Sequence, residues 1–141
     1  MTLSKSARYA LYASLEMAAA GDRRVTVADV ARPYHIPQAA LAKVLQQLVR
    51  AGLAVGTRGV GGGYQLARPG KQVTVLEVIS VFDPPRPRSQ CALSTPLDPP
   101  CRMKQSCSIR VLFDEIDEVV RGTLESVTLA TLAGRVERQE A

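Results

Sequence analysis

The 141 residues are enough for one domain, or one domain with an extension, and an ordinary hydrophobic content of 46% permits a buried core. No apolar run approaches the roughly 20 residues of a membrane span. The opening segment also lacks the layout of a secretory leader, because Leu11 to Ala20 is interrupted by Glu16 and followed by Gly21, Asp22, Arg23 and Arg24, so a cytoplasmic protein is expected. The net charge of +5 is uneven: residues 1–80 hold ten Lys or Arg against four Asp or Glu, a net of +6, and residues 81–141 hold eight against nine, a net of −1. A basic half of this kind suits a polyanionic partner, although solubility alone would also tolerate it.

In chain order, Ser4 to Ala20 predicts a helix with Ser4 or Ser6 as its cap and Ala10, Leu11, Ala13, Leu15, Met17 and Ala18 as its apolar body. A second, short helix should begin at Val27 with Thr26 as cap, Val25 and Val30 fixing its approach to the core. Pro33 should end or kink it, because proline lacks the amide the next turn needs. Tyr34, His35 and Ile36 make the turn, with Ile36 plugging the gap between helices. Pro37 opens a third helix where a missing amide costs nothing. Leu41, Val44, Leu45 and Leu48 then share one helical face, which leaves Gln38, Ala39, Ala42, Lys43 and Gln46 facing outward. Small and polar side chains suit a helix entering a major groove, and a plain solvated face is the alternative.

Gly52 ends that helix. Leu53 to Val55 reads as a strand, Arg58, Gly59, Gly61, Gly62 and Gly63 as a tip tolerant of positive φ, and Tyr64, Leu66 and Arg68 as the returning strand. A basic hairpin directly after a helix-turn-helix fits a wing, with Arg58 as its probe of the DNA backbone or minor groove. The expected fold class is mainly α: a winged helix-turn-helix domain over residues 1–82, with a two-stranded wing, plus a long C-terminal dimerisation helix.

After a turn at Gly70-Lys71, Thr74 should cap a helix over Val75 to Phe82, with Leu76, Val78, Ile79 and Val81 mostly buried. Residues 83–107 form a proline-rich cysteine loop. Asp83 to Pro100 holds six of the nine prolines, which excludes a regular helix or central strand, and a loop of that length carries function or disorder. All three cysteines, Cys91, Cys101 and Cys107, fall in or just after it with the spacing C-x9-C-x5-C. Their odd number argues against a structural disulfide framework. Basic neighbours Arg88, Arg102, Lys104 and Arg110 suit anionic thiolate ligands, which select zinc or iron-sulfur clusters, and the spacing does not choose between the two. Catalysis is not expected: a cysteine nucleophile needs a nearby base, and the only histidine, His35, belongs to the helix-turn-helix. Ser108 to about Leu132 predicts one long helix, with residues 108–133 as the dimerisation element and 134–141 as a disordered tail. Its stripe of Leu112, Ile116, Val119, Thr123 and Val127 approaches the roughly 3.5-residue period of a helix pair, with Asp114, Glu115, Asp117, Glu118 and Arg121 on the other faces. Such a helix needs a partner, and Gly122 would allow a close approach.

The string Arg58-Gly59-Val60-Gly61-Gly62-Gly63-Tyr64-Gln65-Leu66-Ala67-Arg68-Pro69, together with the opening Leu3-Ser4-Lys5-Ser6-Ala7-Arg8-Tyr9-Ala10-Leu11, resembles the Rrf-two family of bacterial transcriptional regulators, the IscR and NsrR type. The resemblance runs from Met1 to about Ala133. It implies a homodimer that binds double-stranded operator DNA and dimerises by crossing its long helices. It adds Lys5, Arg8 and Tyr9 as phosphate contacts, Tyr9 being equally a core aromatic, to the candidate DNA-binding set Gln38, Ala39, Ala42, Lys43, Gln46, Arg58, Gly59 and Tyr64. It further implies an iron-sulfur cluster, 4Fe-4S or 2Fe-2S, on Cys91, Cys101 and Cys107, which would sense iron, redox state or nitric oxide. Zinc, or thiol chemistry without a metal, is the alternative. The chain departs from the family pattern in a longer first spacer and in the fourth ligand: Arg8 stands where the nitric-oxide-sensing branch has an acidic residue, and Arg110 where the iron-sulfur biogenesis branch has a histidine. A solvent species, a small thiol, Asp98 or Glu115 would then complete the set.

Overall fold

The computed structural model describes residues 2–85 and 107–140. Helix α1 (Lys5–Ala20) lies at the centre, and its start follows from one side chain: the Ser4 hydroxyl accepts the Ala7 amide at 3.1 Å, satisfying a donor that the helix itself leaves unpaired. Its inward face is Ala7, Ala10, Ala13, Ser14 and Met17. Four of these five are small, so neighbouring helices approach closely, and α1 packs against α2, α3, α4 and α6.

Helix α2 (Val27–Tyr34) opens with a reciprocal box in which the Thr26 hydroxyl accepts the Asp29 amide (3.1 Å) and the Asp29 carboxylate accepts the Thr26 amide (2.9 Å). Those bonds, the backbone one foremost, hold the Asp29 carboxyl below its ordinary range. Pro33 neither ends nor shortens the helix at its own position, because it falls in the last turn; the helix ends one residue later, at Tyr34, and is capped by His35 in the left-handed conformation (φ 54). Pro37 is the cap rather than the first residue of α3 (Gln38–Arg50), whose inward residues Leu41, Val44, Leu45 and Leu48 are all buried beside Ile36. Each buried leucine contributes about 1.5–3 kcal/mol relative to exposure.

Strands β1 (Ala54–Thr57) and β2 (Gly63–Leu66) pair antiparallel with Gly56 opposite Tyr64. The returning strand is shorter than its alternation predicts. Arg68 lies beyond it and forms an ion pair with Glu77 at 2.7 Å on α4 (Val75–Phe82). Thr74 and Glu77 make a second capping box at the start of α4.

The long C-terminal helix expected over Ser108 to Leu132 is two helices, α5 (Ser108–Ser126) and α6 (Leu129–Glu140). The break has a local and a tertiary cause. Val127 and Thr128 are consecutive β-branched residues, which favour extended backbone. They are held extended by a short antiparallel bridge in which the Val75 amide donates to the Val127 carbonyl and the Leu129 amide to the Val73 carbonyl, both at 2.9 Å. The Thr128 hydroxyl then accepts the Thr131 amide (3.1 Å), restarting the helix. Leu129 is completely buried, and α6 packs on α1. Two expectations change accordingly: Val127 leaves the dimer stripe for a half-buried place beside α4, and residues 134–140 continue α6 where a disordered tail was predicted. The proline-rich stretch over 86–106, with Cys91, Cys101, Arg88, Asp98, Arg102 and Lys104, lies outside the described residues.

Candidate nucleic-acid interface

The outward face of α3 is available to a ligand. Gln38, Ala39, Lys43 and Gln46 are exposed and Ala42 is half-buried, while the opposite face is locked into the core. Pro37 caps α3 without a side-chain hydrogen bond, so the first-turn amides have no side-chain acceptor and suit a phosphate. Beside this helix the wing encloses a cleft lined on one side by Thr26, Val27, Gln46, Val49 and Arg50 and on the other by Thr57, Arg58, Gly59 and Tyr64. The fold therefore brings Gln46 together with Arg58, Gly59 and Tyr64, residues up to 18 positions apart.

Not every expected contact residue takes the same role. The Tyr64 ring faces Gly56 across the ladder, at 3.2 Å from where a Cβ would stand, and packs on the core. Tyr9 is half-buried and packs on the same core. Both are therefore anchored as packing residues. Lys5 and Arg8 are exposed on the first turns of α1 but do not line the cleft. The Ser4 amide just before them donates to the Asp83 carboxylate at 2.9 Å, tying the start of α1 to the end of α4.

Two cations were missed. Arg50 is four residues after Gln46, on the same face, and that spacing could have found it. Arg24 donates through Nη1 to the Gly61 carbonyl at 3.2 Å, across 37 positions of sequence, and no local signal marks such a contact.

Cys107 is the cysteine that the described residues contain. It caps α5 with its thiol free and half-exposed. Among the described residues no three His, Cys, Asp or Glu side chains converge as a metal site. His35 is exposed in the turn after α2. Among the described residues no helix is long and apolar enough to cross a membrane.

A chain of this fold has relatives among known regulators. The Rrf2 model, described as an iron-dependent transcriptional regulator, matches residues 3–135. The chain belongs to the Rrf2 family. BadM of Rhodopseudomonas palustris, assigned as an HTH-type transcriptional regulator, is 40% identical over 132 residues, covering 94% of this chain and 81% of that protein. The HTH-type transcriptional regulator IscR of Cereibacter sphaeroides is 37% identical over 86 residues, 59% of this chain and 56% of that protein. Among solved structures, CymR, the global cysteine regulator of Bacillus subtilis, superposes with a TM-score of 0.75 at 26% identity, covering 96% of this chain and 98% of that one. IscR of T. potens superposes with a TM-score of 0.78 at 21% identity, over 100% and 92% of the two chains, a likeness of fold. The chain is thus an Rrf2-type transcriptional regulator with the winged-helix fold, and its family is one of regulators rather than enzymes.

Proposed function

We propose that this Rrf2 protein is a homodimeric repressor that binds a roughly palindromic DNA operator and is controlled through Cys91, Cys101 and Cys107. The observation that carries the DNA-binding reading is the cleft between α3 and the wing, with Gln46 and Arg50 on one wall and Arg58 on the other. In a dimer two such units would address successive major grooves, with Arg58 of each wing reaching the adjacent minor groove. Dimerisation is supported by α5, none of whose residues is buried: Leu112, Phe113, Ile116 and Val119 are all more than 40% exposed. Contiguous exposed apolar side chains of this kind mark an interface.

The donor chemistry at Cys107 fits a soft metal centre, since its thiol is free, half-exposed and placed at a helix start without a competing side-chain cap. Cys107 would hold an iron-sulfur cluster together with Cys91 and Cys101; when bound, the cluster supplies a redox- and nitric-oxide-reactive centre. Cys107 opens α5, and α5 packs on α4, whose last residue is followed by Asp83, the partner of the Ser4 amide. A change of ligation at Cys107 therefore has a short covalent and packed route to the dimer helix and to the start of α1. A second reading is thiol or zinc sensing with no cluster, and its thiol form is favoured by the likeness to CymR, a global cysteine regulator.

The test is anaerobic purification with iron, sulfide and zinc quantitation and a visible spectrum, repeated for Cys101→Ala, beside operator affinity at fixed salt. Iron and sulfide in matching amounts, with absorbance that the substitution abolishes, would support the cluster. Colourless protein after reconstitution leaves the thiol or zinc reading. Equal operator affinity with and without the cluster would sink the switch.

A further inference from the structure

We propose that Arg24 is a positioning residue for the wing, acting on DNA through Arg58; this rests on the DNA-binding reading above. The outer edge of the hairpin is held by backbone hydrogen bonds at Tyr64, one rung before the tip. Val25 and Tyr64 exchange both hydrogen bonds, Val25 amide to Tyr64 carbonyl at 2.9 Å and Tyr64 amide to Val25 carbonyl at 2.7 Å, so Val25 acts as a one-residue strand on the outer edge of β2. The approach is close enough that a Cβ at Gly63 would stand 2.6 Å from the Val25 carbonyl oxygen.

The tip has no such support from the core. It closes on itself through the Gly62 amide and the Gly59 carbonyl (2.9 Å), Val60 is fully exposed, and Gly59 and Gly61 both sit at positive φ, where glycine leaves the backbone soft. Arg24 is the side chain that reaches it, donating to the Gly61 carbonyl. The Arg58 backbone is folded into the same turn: a Cβ at Gly62 would lie 3.0 Å from the Arg58 carbonyl carbon and 2.4 Å from the Thr57 carbonyl oxygen. Pinning Gly61 therefore fixes the piece of backbone that carries Arg58. The segment Arg24-Val25 works as a two-point brace, the backbone of Val25 on the edge of β2 and the guanidinium of Arg24 on the tip.

The competing use of Arg24 is as an independent phosphate contact, and the two uses differ in additivity. Each phosphate neutralised contributes about 0.9 to the slope of log affinity against log salt. The experiment titrates the native chain, Arg24→Ala, Arg58→Ala and the double variant against a duplex selected from a randomised pool by the native chain, over a series of salt concentrations. Arg58→Ala is expected to weaken binding about tenfold and to lower the slope by about one. Arg24→Ala should follow in the same direction, by about three- to tenfold, and the double variant should be within about twofold of Arg58→Ala, with the slope still reduced by only one contact. A double variant weakened by the product of the two single factors, with the slope lowered by about two, would make Arg24 a phosphate contact and overturn the brace. Arg24→Ala indistinguishable from native would overturn it as well. Native binding is read first in the same titration, so a native chain that selects no duplex strikes the regulator reading itself, whereas native binding with either adverse pattern strikes only the role of Arg24.

Discussion

Gly63→Ala isolates the contact on which the wing depends. Gly63 begins β2 at φ +145, outside the regions that L residues populate, and a Cβ there would meet the Val25 carbonyl oxygen at 2.6 Å, a backbone atom with no rotamer to escape into. The substitution must therefore either hold the strained conformation or lift β2 off Val25. The strain is worth about 1–3 kcal/mol, and losing the two Val25–Tyr64 hydrogen bonds costs about 0.5–1.5 kcal/mol each, so either route costs about 1–3 kcal/mol and a variant that incurs both about 2–6 kcal/mol. Gly52→Ala is the control. Gly52 follows the α3 cap at φ +78 with nothing within 4 Å, so an alanine there carries left-handed strain without a clash, about 1–2 kcal/mol. Urea unfolding at matched protein concentration, followed by far-UV circular dichroism, should show the larger midpoint shift for Gly63→Ala with little change in slope. Operator affinity should fall for Gly63→Ala even where the variant is fully folded. Equal midpoint shifts for the two variants would refute the argument that β2 is closed against Val25.

At Glu77, partial burial opposes ionisation, but the Thr74 amide and the Arg68 guanidinium outweigh it and hold the carboxyl below its ordinary 4.5. Because the folded value is depressed, its stabilisation is present above 4.5 and lost as pH falls through the folded value. Glu77→Gln should therefore be less stable than native at neutral pH, with the two stability curves converging in acid; parallel curves would count against it. Tyr34 goes the other way, since partial burial and then its hydrogen bond to Glu16 (2.5 Å) push the phenol from 10.0 up to about 12. The folded value being raised, this contribution is complete below pH 10.0 and lost as pH rises through about 12. A spectrophotometric titration should show a late tyrosine step that is absent in Tyr34→Phe, and an unchanged titration curve in that variant would disprove the assignment. Ile116→Asp and Val119→Asp, on the exposed face of α5, should shift sedimentation from dimer to monomer while leaving the far-UV spectrum native; a native chain that is already monomeric would sink the interface.

Local rules carried the first half of the chain a long way. The caps at Ser4, Thr26 and Thr74 and the buried face of α3 follow from residue type and period, because a cap depends on atoms three residues away and a helical face on its own repeat. The motif around Gly59 to Tyr64 was legible for the same reason: a tight tip at positive φ restricts residue choice strongly. The sequence by itself thus determined a winged helix-turn-helix, its outward-facing helix and its basic wing. Only the tertiary structure decided where the C-terminal helix breaks, since Val127 and Thr128 are drawn extended by backbone partners at Val73 and Val75, more than 50 positions earlier. It likewise packed one side of Tyr9 and Tyr64 on the core and placed Arg24 on the wing tip. Periodicity reports how a residue relates to its own element; which element arrives from elsewhere in the chain, and which groups it finds unpaired, is settled when the elements pack.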